Sequence, residues 1–258
     1  MQANLKSAAK SAAPLELALI PVLQDNYVMV LWRDGQAAVV DPAVAEPVID
    51  WLEQRHLNLV AVLQTHHHSD HIGGTPALLR RWPAAEVVAS RADHDRIPFQ
   101  TSGVAEGDHF NLLGRSVEVL EVPGHTRCHL AYHLPAQAGE GAELFCGDTL
   151  FAGGCGRLFE GTPEQMHQSL RLLTALAPAT RVWCAHEYTE SNLGWAASEA
   201  PQDAAIADRL ADVRRQRALG EPTIPSSVAL ERETNLFVRS ADAAELARLR
   251  ESKNHYRG

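Results

Sequence analysis

The residues best suited to chemistry lie in a short histidine-rich tract. Thr65-His-His-His-Ser-Asp-His71 contains four histidines and an aspartate, directly after the apolar run Leu59 to Gln64. In a segment leaving a strand, alternate residues point the same way, so His66 and His68 can converge on one point while His67 faces elsewhere. Neutral imidazole and carboxylate are ligand types that suit zinc and related divalent metals. The tract therefore predicts a metal site at the end of a strand.

Three more residues with metal-binding side chains follow apolar runs later in the chain. His125 lies in the turn Val122-Pro-Gly-His-Thr126, where Thr126 is placed to orient the imidazole. Asp148 and His186 each come directly after a run with the character of a buried strand. Taken singly, such residues are usually caps or hydrogen-bonded core groups. Four strand ends of this kind in one domain make coincidence a poor explanation.

Together these side chains are too many for one four-coordinate ion, so the count predicts two ions. The first would be held by His66, His68 and His125, the second by Asp70, His71 and His186, with Asp148 bridging both. The remaining histidines near these positions are given no metal role. Of these, His129 and His133 are expected on a strand, facing solvent or making hydrogen bonds.

The composition limits the classes of function. The 258 residues carry a net charge of −9, which argues against nucleic acid or an acidic membrane surface as a partner. The four cysteines form no C-x-x-C pair, which is typical of reduced thiols in the cytoplasm. The first residues, Met1 to Pro14, lack the apolar segment of a secretory signal and are expected to form a flexible tail. No run is long enough to cross a membrane. Together these features predict a cytoplasmic protein, and a monomer is expected.

The elements that must position these ligands alternate between strands and helices up to about residue 186. Strands are predicted at 15–21, 27–32, 37–41, 59–64, 86–89, 117–122, 129–134, 144–147 and 182–185. Helices are predicted at 46–56 and 75–82, and after the capping box Thr162-Pro-Glu-Gln165. Beyond residue 186 only helical patterns follow, at 204–219 and 243–251. The chain is thus predicted to have an α/β domain at 15–186 and a helical domain at 187–258.

The order His66-x-His68-x-Asp70-His71, His125, Asp148 and His186 resembles the signature of the metallo-β-lactamase superfamily. Within it, further segments are similar to the glyoxalase II family, the hydroxyacylglutathione hydrolases. These segments are Leu23-Gln-Asp-Asn-Tyr27, Gly147-Asp-Thr-Leu-Phe-x-Gly153, Gly154-Cys-Gly-Arg157, His186-Glu-Tyr-Thr-x-x-Asn192 and Arg250-Glu-Ser-Lys253. The resemblance covers nearly the whole chain.

This resemblance implies an αβ/βα sandwich of two mixed sheets, followed by a small C-terminal helical domain that helps to bind glutathione. By position, Arg157, Tyr188, Arg250 and Lys253 match the glutathione-binding residues of the family. Phe159 stands where many members carry tyrosine, so the hydroxyl that the family offers to glutathione is missing, although the backbone there could still donate a hydrogen bond.

The implied substrate is S-D-lactoylglutathione, hydrolysed to glutathione and D-lactate in methylglyoxal detoxification. Metal coordination lowers the pKa of water to about 7, so a hydroxide between two ions could attack at neutral pH. Asp70 could be a ligand or a proton acceptor, and the ligand role is preferred; Asp148 is the other residue expected at the reacting centre. Zinc is the first choice of metal, with iron or manganese as alternatives.

Other functions remain as alternatives. A glutathione persulfide dioxygenase would use one iron with two histidines and one aspartate, which leaves the second set of ligands unexplained. A lactonase of the same fold is disfavoured by the basic C-terminal motif. A non-catalytic zinc protein would favour a closed, cysteine-rich site over this open His/Asp set.

Overall fold

The computed structural model describes residues 13–137 and 139–257, so all but Ala13 and Pro14 of the predicted tail lie outside the described residues. A first sheet has six strands in the order of the chain. They are β1 (Glu16–Val22), β2 (Asn26–Arg33), β3 (Gln36–Val40), β4 (Asn58–Leu63), β5 (Glu86–Ser90) and β6 (Ser102–Val104). The first three are antiparallel neighbours, and β3 to β6 run parallel, so the sheet is mixed.

A second sheet of six strands faces the first. It contains β7 (His109–Leu112), β8 (Arg115–Glu121), β9 (Leu130–Leu134), β10 (Glu143–Gly147), β13 (Arg181–Cys184) and β14 (Ser226–Ser227). Their spatial order is β14-β13-β10-β9-β8-β7, with only the pair of β10 and β13 parallel. A short hairpin, β11 (Leu150–Phe151) and β12 (Gly154–Cys155), follows β10.

The helices of the first part cover the sheets. They are α1 (Glu46–Gln54), α2 (Ser69–Ile72), α3 (Thr75–Arg81) and α4 (Pro163–Thr174), with a 3-10 helix at Arg91–Asp93. The capping box predicted for α4 is confirmed, because Thr162 and Gln165 bond each other's backbone N–H groups. Pro76 occupies the first turn of α3, where its missing N–H is not needed.

Side chains alternate across the first sheet and separate two cores. Val28 and Val30 of β2 pack with Val48 and Leu52 of α1 on the outer face. The intervening residues of β2 point to the core between the sheets. There the buried Tyr132 of β9 donates its hydroxyl to the carbonyls of Gln64 and Val88, at 2.8 and 3.2 Å. The predicted sandwich of two mixed sheets is confirmed.

The C-terminal region is largely helical. Its helices are α5 (Thr189–Glu199), α6 (Ala204–Ala218), α7 (Val228–Thr234), α8 (Leu236–Arg239) and α9 (Ala243–His255). Trp195 and Phe237 stack at 4.8 Å between ring centroids in its core. The sequence predicted only helices here, whereas the two-residue strand β14 extends the second sheet by pairing with β13. Within the described ranges, no helix is both long and apolar enough to cross a lipid bilayer.

Buried polar side chains join the helical region to the hairpin β11–β12. Glu231 is fully buried and accepts a hydrogen bond from the Gly153 N–H at 2.8 Å. The Asn235 amide donates to the carbonyls of Phe151 and Gly154, at 3.2 and 2.9 Å. Arg209 pairs with the Glu231 carboxylate at 2.7 Å, so the buried charge is compensated. The hairpin is therefore held mainly from the C-terminal region.

Candidate metal centre

Strand ends bring the sequence-predicted ligands to one edge of the sandwich. His66 and His68 follow β4, Asp148 follows β10, and His186 follows β13. His125 lies in the turn between β8 and β9, and the short helix α2 carries Asp70 and His71. Parallel strands end at the same edge, which explains how residues distant in sequence meet there.

The first group consists of three imidazoles. The Nδ1 atom of His68 lies 3.0 Å from His66 Nε2 and 3.1 Å from His125 Nε2. The ligand atoms of the three residues all lie within 4.8 Å of one another. Three convergent ring nitrogens suit a divalent metal such as zinc, which binds neutral imidazole.

The second group consists of Asp70, His71 and His186, whose ligand atoms also lie within 4.8 Å of one another. Asp70 Oδ2 lies 3.7 Å from His71 Nε2 and 3.5 Å from His186 Nε2. The buried His71 Nε2 atom has no hydrogen-bond partner in the described chain. Buried polar atoms usually have a hydrogen-bond partner, so a buried nitrogen without one beside a carboxylate fits the role of a metal ligand.

Asp148 lies between the two groups. Its Oδ2 atom is 3.4 Å from His125 Nε2 of the first group. Its Oδ1 atom is 3.5 Å from His71 Nε2 and 3.4 Å from His186 Nε2 of the second group. Oδ1 is also buried without a hydrogen-bond partner among the described residues. One carboxylate oxygen toward each group is the arrangement required of a bridging ligand.

The electrostatics of the two groups differ. Burial and the neighbouring His125 lower the pKa of His68 to about 4, and burial lowers the pKa of His66 well below its usual range. Burial would also lower the pKa of His71, but the carboxylates of Asp148 and Asp41 outweigh it and raise that pKa. The imidazoles of the first group are therefore neutral at pH 7, and their free nitrogen lone pairs can bind a metal. The second group is surrounded by carboxylates and needs positive charge, which a divalent cation would supply.

Supporting side chains orient the ring nitrogens that point away from the centre. Asp41 accepts from His71 Nδ1 at 3.0 Å, and also from the Thr65 N–H and hydroxyl. Asp25 accepts from His186 Nδ1 at 2.9 Å. A carboxylate behind a histidine ligand fixes its tautomer and increases its basicity. Asp41 has a left-handed backbone at φ 50°, which is uncommon for residues other than glycine, asparagine and aspartate.

Sequence reasoning missed Asp25 and Asp41, although Asp41 directly follows β3, just as several proposed ligands follow their strands. It was wrong about Thr126, whose hydroxyl is buried and makes no hydrogen bond with the described chain. The main-chain carbonyl of Arg157 accepts from His125 Nδ1 instead, at 2.9 Å. These two residues are 32 positions apart, so the spacing of neighbouring residues could not predict this hydrogen bond.

A pocket of about 450 Å³ opens beside the two groups. All the residues predicted to bind substrate line it: Arg157, Phe159, Tyr188, Arg250 and Lys253. Sequence reasoning gave no site role to four polar residues of its wall, Ser191, Asn192, Asn254 and Tyr256. The pocket therefore joins the candidate metal centre to a basic region formed with α5 and α9.

The two basic residues of α9 are held by neighbours. Arg250 is 7% exposed, donates from Nη1 to the Cys155 carbonyl at 2.8 Å and lies over the Phe237 ring. The Lys253 ammonium donates to the carbonyl and hydroxyl of Ser191, at 2.8 and 3.0 Å. Burial, together with Arg250 and Arg157, lowers the pKa of Lys253 to about 8. Two cations kept this close favour an anionic ligand.

Aromatic rings line the metal side of the pocket. Phe159 is 63% exposed, and its ring centroid lies 5.2 Å from that of His125 and 5.8 Å from that of His68. Tyr188 stacks on His186 at 4.7 Å with an interplanar angle of 7°. Both rings limit where the reacting part of a substrate can lie.

Two family models match the chain over adjacent segments. Residues 21–186 match the model of the metallo-beta-lactamase superfamily. Residues 187–256 match the model of the hydroxyacylglutathione hydrolase C-terminus.

Individual proteins agree with these matches. The chain is 59% identical over 243 residues to a hydroxyacylglutathione hydrolase from Parasynechococcus marenigrum strain WH8102, covering 93% of this chain and 98% of that protein. Among solved structures, ETHE1 from Myxococcus xanthus superposes with a TM-score of 0.69 at 25% identity, covering 94% of this chain and 92% of that one. TTHA1623, solved in a di-iron-bound form, gives a TM-score of 0.54 at 26% identity, covering 66% of this chain and 91% of that one.

Proposed function

The chain belongs to the metallo-β-lactamase superfamily and, within it, to the hydroxyacylglutathione hydrolases, and we propose that its pocket hydrolyses S-D-lactoylglutathione to glutathione and D-lactate. The enzyme is a thioester hydrolase. One observation supports the substrate most directly: a single pocket joins the His/Asp centre to Arg157, Arg250 and Lys253. A glutathione thioester needs the His/Asp centre to hydrolyse its thioester bond and the basic residues to bind its carboxylates.

The proposed ligands are those predicted from the sequence. His66, His68 and His125 would hold one ion, Asp70, His71 and His186 the other, and Asp148 would bridge them. The orphaned His71 Nε2 and Asp148 Oδ1 support this assignment, as does the need for positive charge in the second group. Two bound ions would generate a nucleophile from water near neutral pH and polarise the thioester carbonyl.

The chain's own residues would bind and orient the substrate. Glutathione carries two carboxylates, and Arg157, Arg250 and Lys253 are the cations that line the pocket. The contacts of Lys253 with Ser191 occupy two of its three N–H donors, so one is left for a ligand. At the opposite end of the pocket, Asp148 and Asp70 would help to hold the metal ions beside which the thioester carbonyl would lie.

The acyl group would lie against aromatic rings. Phe159 packs near His125 and His68, and Tyr188 stacks on His186. These rings would give the acyl group two apolar surfaces beside the centre without adding charge. The leaving thiol of glutathione has a pKa near 8.5, so its departure needs little help from a general acid.

The finer properties are also proposals. We propose zinc as the metal, with iron or manganese as alternatives, because His and Asp ligands accept all three. The chain is proposed to act as a monomer in the cytoplasm, an environment consistent with four cysteines that are all free. The boundary between catalytic and substrate-binding domains is placed at residues 186 and 187.

Metal analysis combined with a hydrolysis assay tests the function. The purified protein should carry close to two metal ions per chain and hydrolyse S-D-lactoylglutathione. A matched thioester of a neutral cysteine derivative should be a much poorer substrate, because it offers no carboxylates to the basic residues. One iron per chain, with oxygen uptake on glutathione persulfide, would instead support the dioxygenase alternative.

A further inference from the structure

His129 lies behind the candidate metal centre and belongs to neither group of ligands. Its side chain is fully buried just before β9. Its ring stacks on His66, with centroids 4.6 Å apart and an interplanar angle of 20°. Its position against a proposed ligand indicates that His129 supports the centre.

The hydrogen bonds of His129 define its protonation state. Nδ1 lies 3.0 Å from the Leu130 carbonyl, which can only accept, so Nδ1 carries the proton. Nε2 lies 3.1 Å from the Asp148 main-chain N–H, which can only donate, so Nε2 keeps its lone pair. The ring is therefore neutral and both nitrogens are used. Because Nε2 already accepts from Asp148, it is not free to bind a metal.

The Asp148 main chain is fixed closely against this ring. The preceding Gly147 has φ 47°, and a Cβ atom there would lie 2.8 Å from His129 Cε1. Only a residue without a side chain lets the turn pack this tightly on the imidazole. The turn carries the carboxylate that lies between the two groups of ligands.

We propose that His129 is the positioning residue that sets where the Asp148 carboxylate and the His66 imidazole stand relative to each other. The hydrogen bond from the Asp148 N–H fixes the main chain that carries the Asp148 carboxylate, and the ring stack fixes the His66 imidazole. This inference rests on the two-metal centre proposed above. It assigns His129 no contact with substrate.

Two variants separate the hydrogen bond from the packing. In His129→Gln, the side-chain oxygen can reach the place of Nε2 and accept from Asp148. In His129→Asn, the shorter amide can reach only the place of Nδ1, so the acceptor is lost. Both variants reduce the stack on His66 to a similar extent.

The measurements are metal affinity by chelator competition, and kcat and KM for S-D-lactoylglutathione. Loss of a residue that orients metal ligands typically costs about 10–100-fold in metal affinity or activity. We expect His129→Asn to lose metal affinity and kcat by about this factor, with KM essentially unchanged because His129 does not line the pocket. His129→Gln should recover most of both losses.

Equal losses in the two variants, or full metal affinity in His129→Asn, would overturn the inference. A wild-type protein that binds two metals but does not hydrolyse the thioester would refute the proposed function, while the affinity comparison still tests His129. Nitrogen NMR can measure the protonation of His129 in the wild-type protein, so this test does not depend on whether the variants fold. It should show His129 neutral with its proton on Nδ1, and a proton on Nε2 would refute the inference.

Discussion

The pH dependence of substrate binding should be controlled by Lys253. Its pKa is lowered to about 8 by burial and by the nearby Arg250 and Arg157. Below this pKa the ammonium is charged and attracts a carboxylate of the substrate. Above it the lysine becomes neutral and that attraction is lost. KM should therefore rise as pH increases through 8.

The magnitude follows from the charged fraction. With a pKa of about 8, roughly nine-tenths of Lys253 is charged at pH 7 and roughly one-tenth at pH 9. If only the charged form binds the carboxylate, KM should increase about tenfold between these values. The effect should weaken at high salt, since the pocket is open to solvent.

The assay is a series of kcat and KM measurements with S-D-lactoylglutathione from pH 6.5 to 9.5 at constant ionic strength. Lys253→Arg is the matched control, because arginine stays charged over this range. Titration of the substrate's own amino group affects both proteins equally, so the difference between the two profiles isolates Lys253. If the wild type and Lys253→Arg gave the same rise in KM, the role assigned to Lys253 would be wrong.

Two further substitutions test the centre and its support, and two more compare a buried with an exposed ion pair. Asp148→Ala should reduce bound metal below two ions per chain and bring hydrolysis to the detection limit, as measured by metal analysis and a rate assay. Asp41→Asn should weaken metal affinity by about 10–100-fold in chelator competition, because the carboxylate that supports His71 becomes a neutral amide. Arg209→Met leaves the Glu231 carboxylate buried without its cation and should lower the free energy of unfolding by about 3–5 kcal/mol. Removing the exposed pair by Arg215→Met should change the free energy of unfolding, from denaturant titration, by less than about 1 kcal/mol.

The elements best predicted from sequence are those that bury one face. The β2 and β4 strands are apolar runs bounded by turn residues, α1 carries a helical period, and α3 begins at a proline suited to the first turn. Their limits were predicted to within about two residues. Local burial patterns determine such elements, and tertiary contacts only confirm them.

The missed elements depend on contacts with distant residues. Helix α5 mixes small and polar residues with two buried aromatic and aliphatic side chains, Leu193 and Trp195, and shows no clear apolar face. The hairpin β11–β12 has two residues per strand and is held by Glu231 and Asn235. Nothing within either segment encodes these partners.

The same distinction applies to the centre. Five of the seven proposed ligands follow strands, and Asp70 and His71 lie on the short helix α2 just beyond the end of β4, so their positions could be inferred from spacing. Asp25 and Asp41 act through histidines 161 and 30 residues away, and their roles become visible only after folding. His129 was expected to face solvent or to make hydrogen bonds; it is buried and does the latter.

The link between Glu231 and Gly153 affects how the protein is made. The two residues are 78 positions apart, and the hairpin that Glu231 holds follows Asp148 directly. A ribosome adding about 5–20 residues per second takes about 4–16 s to make that stretch. During this interval both sheets other than β14 can form, while the hairpin still lacks its hydrogen bonds from Glu231 and Asn235. The part of the pocket wall that the hairpin supplies, Phe151 and Cys155, is thus fixed in place late in synthesis.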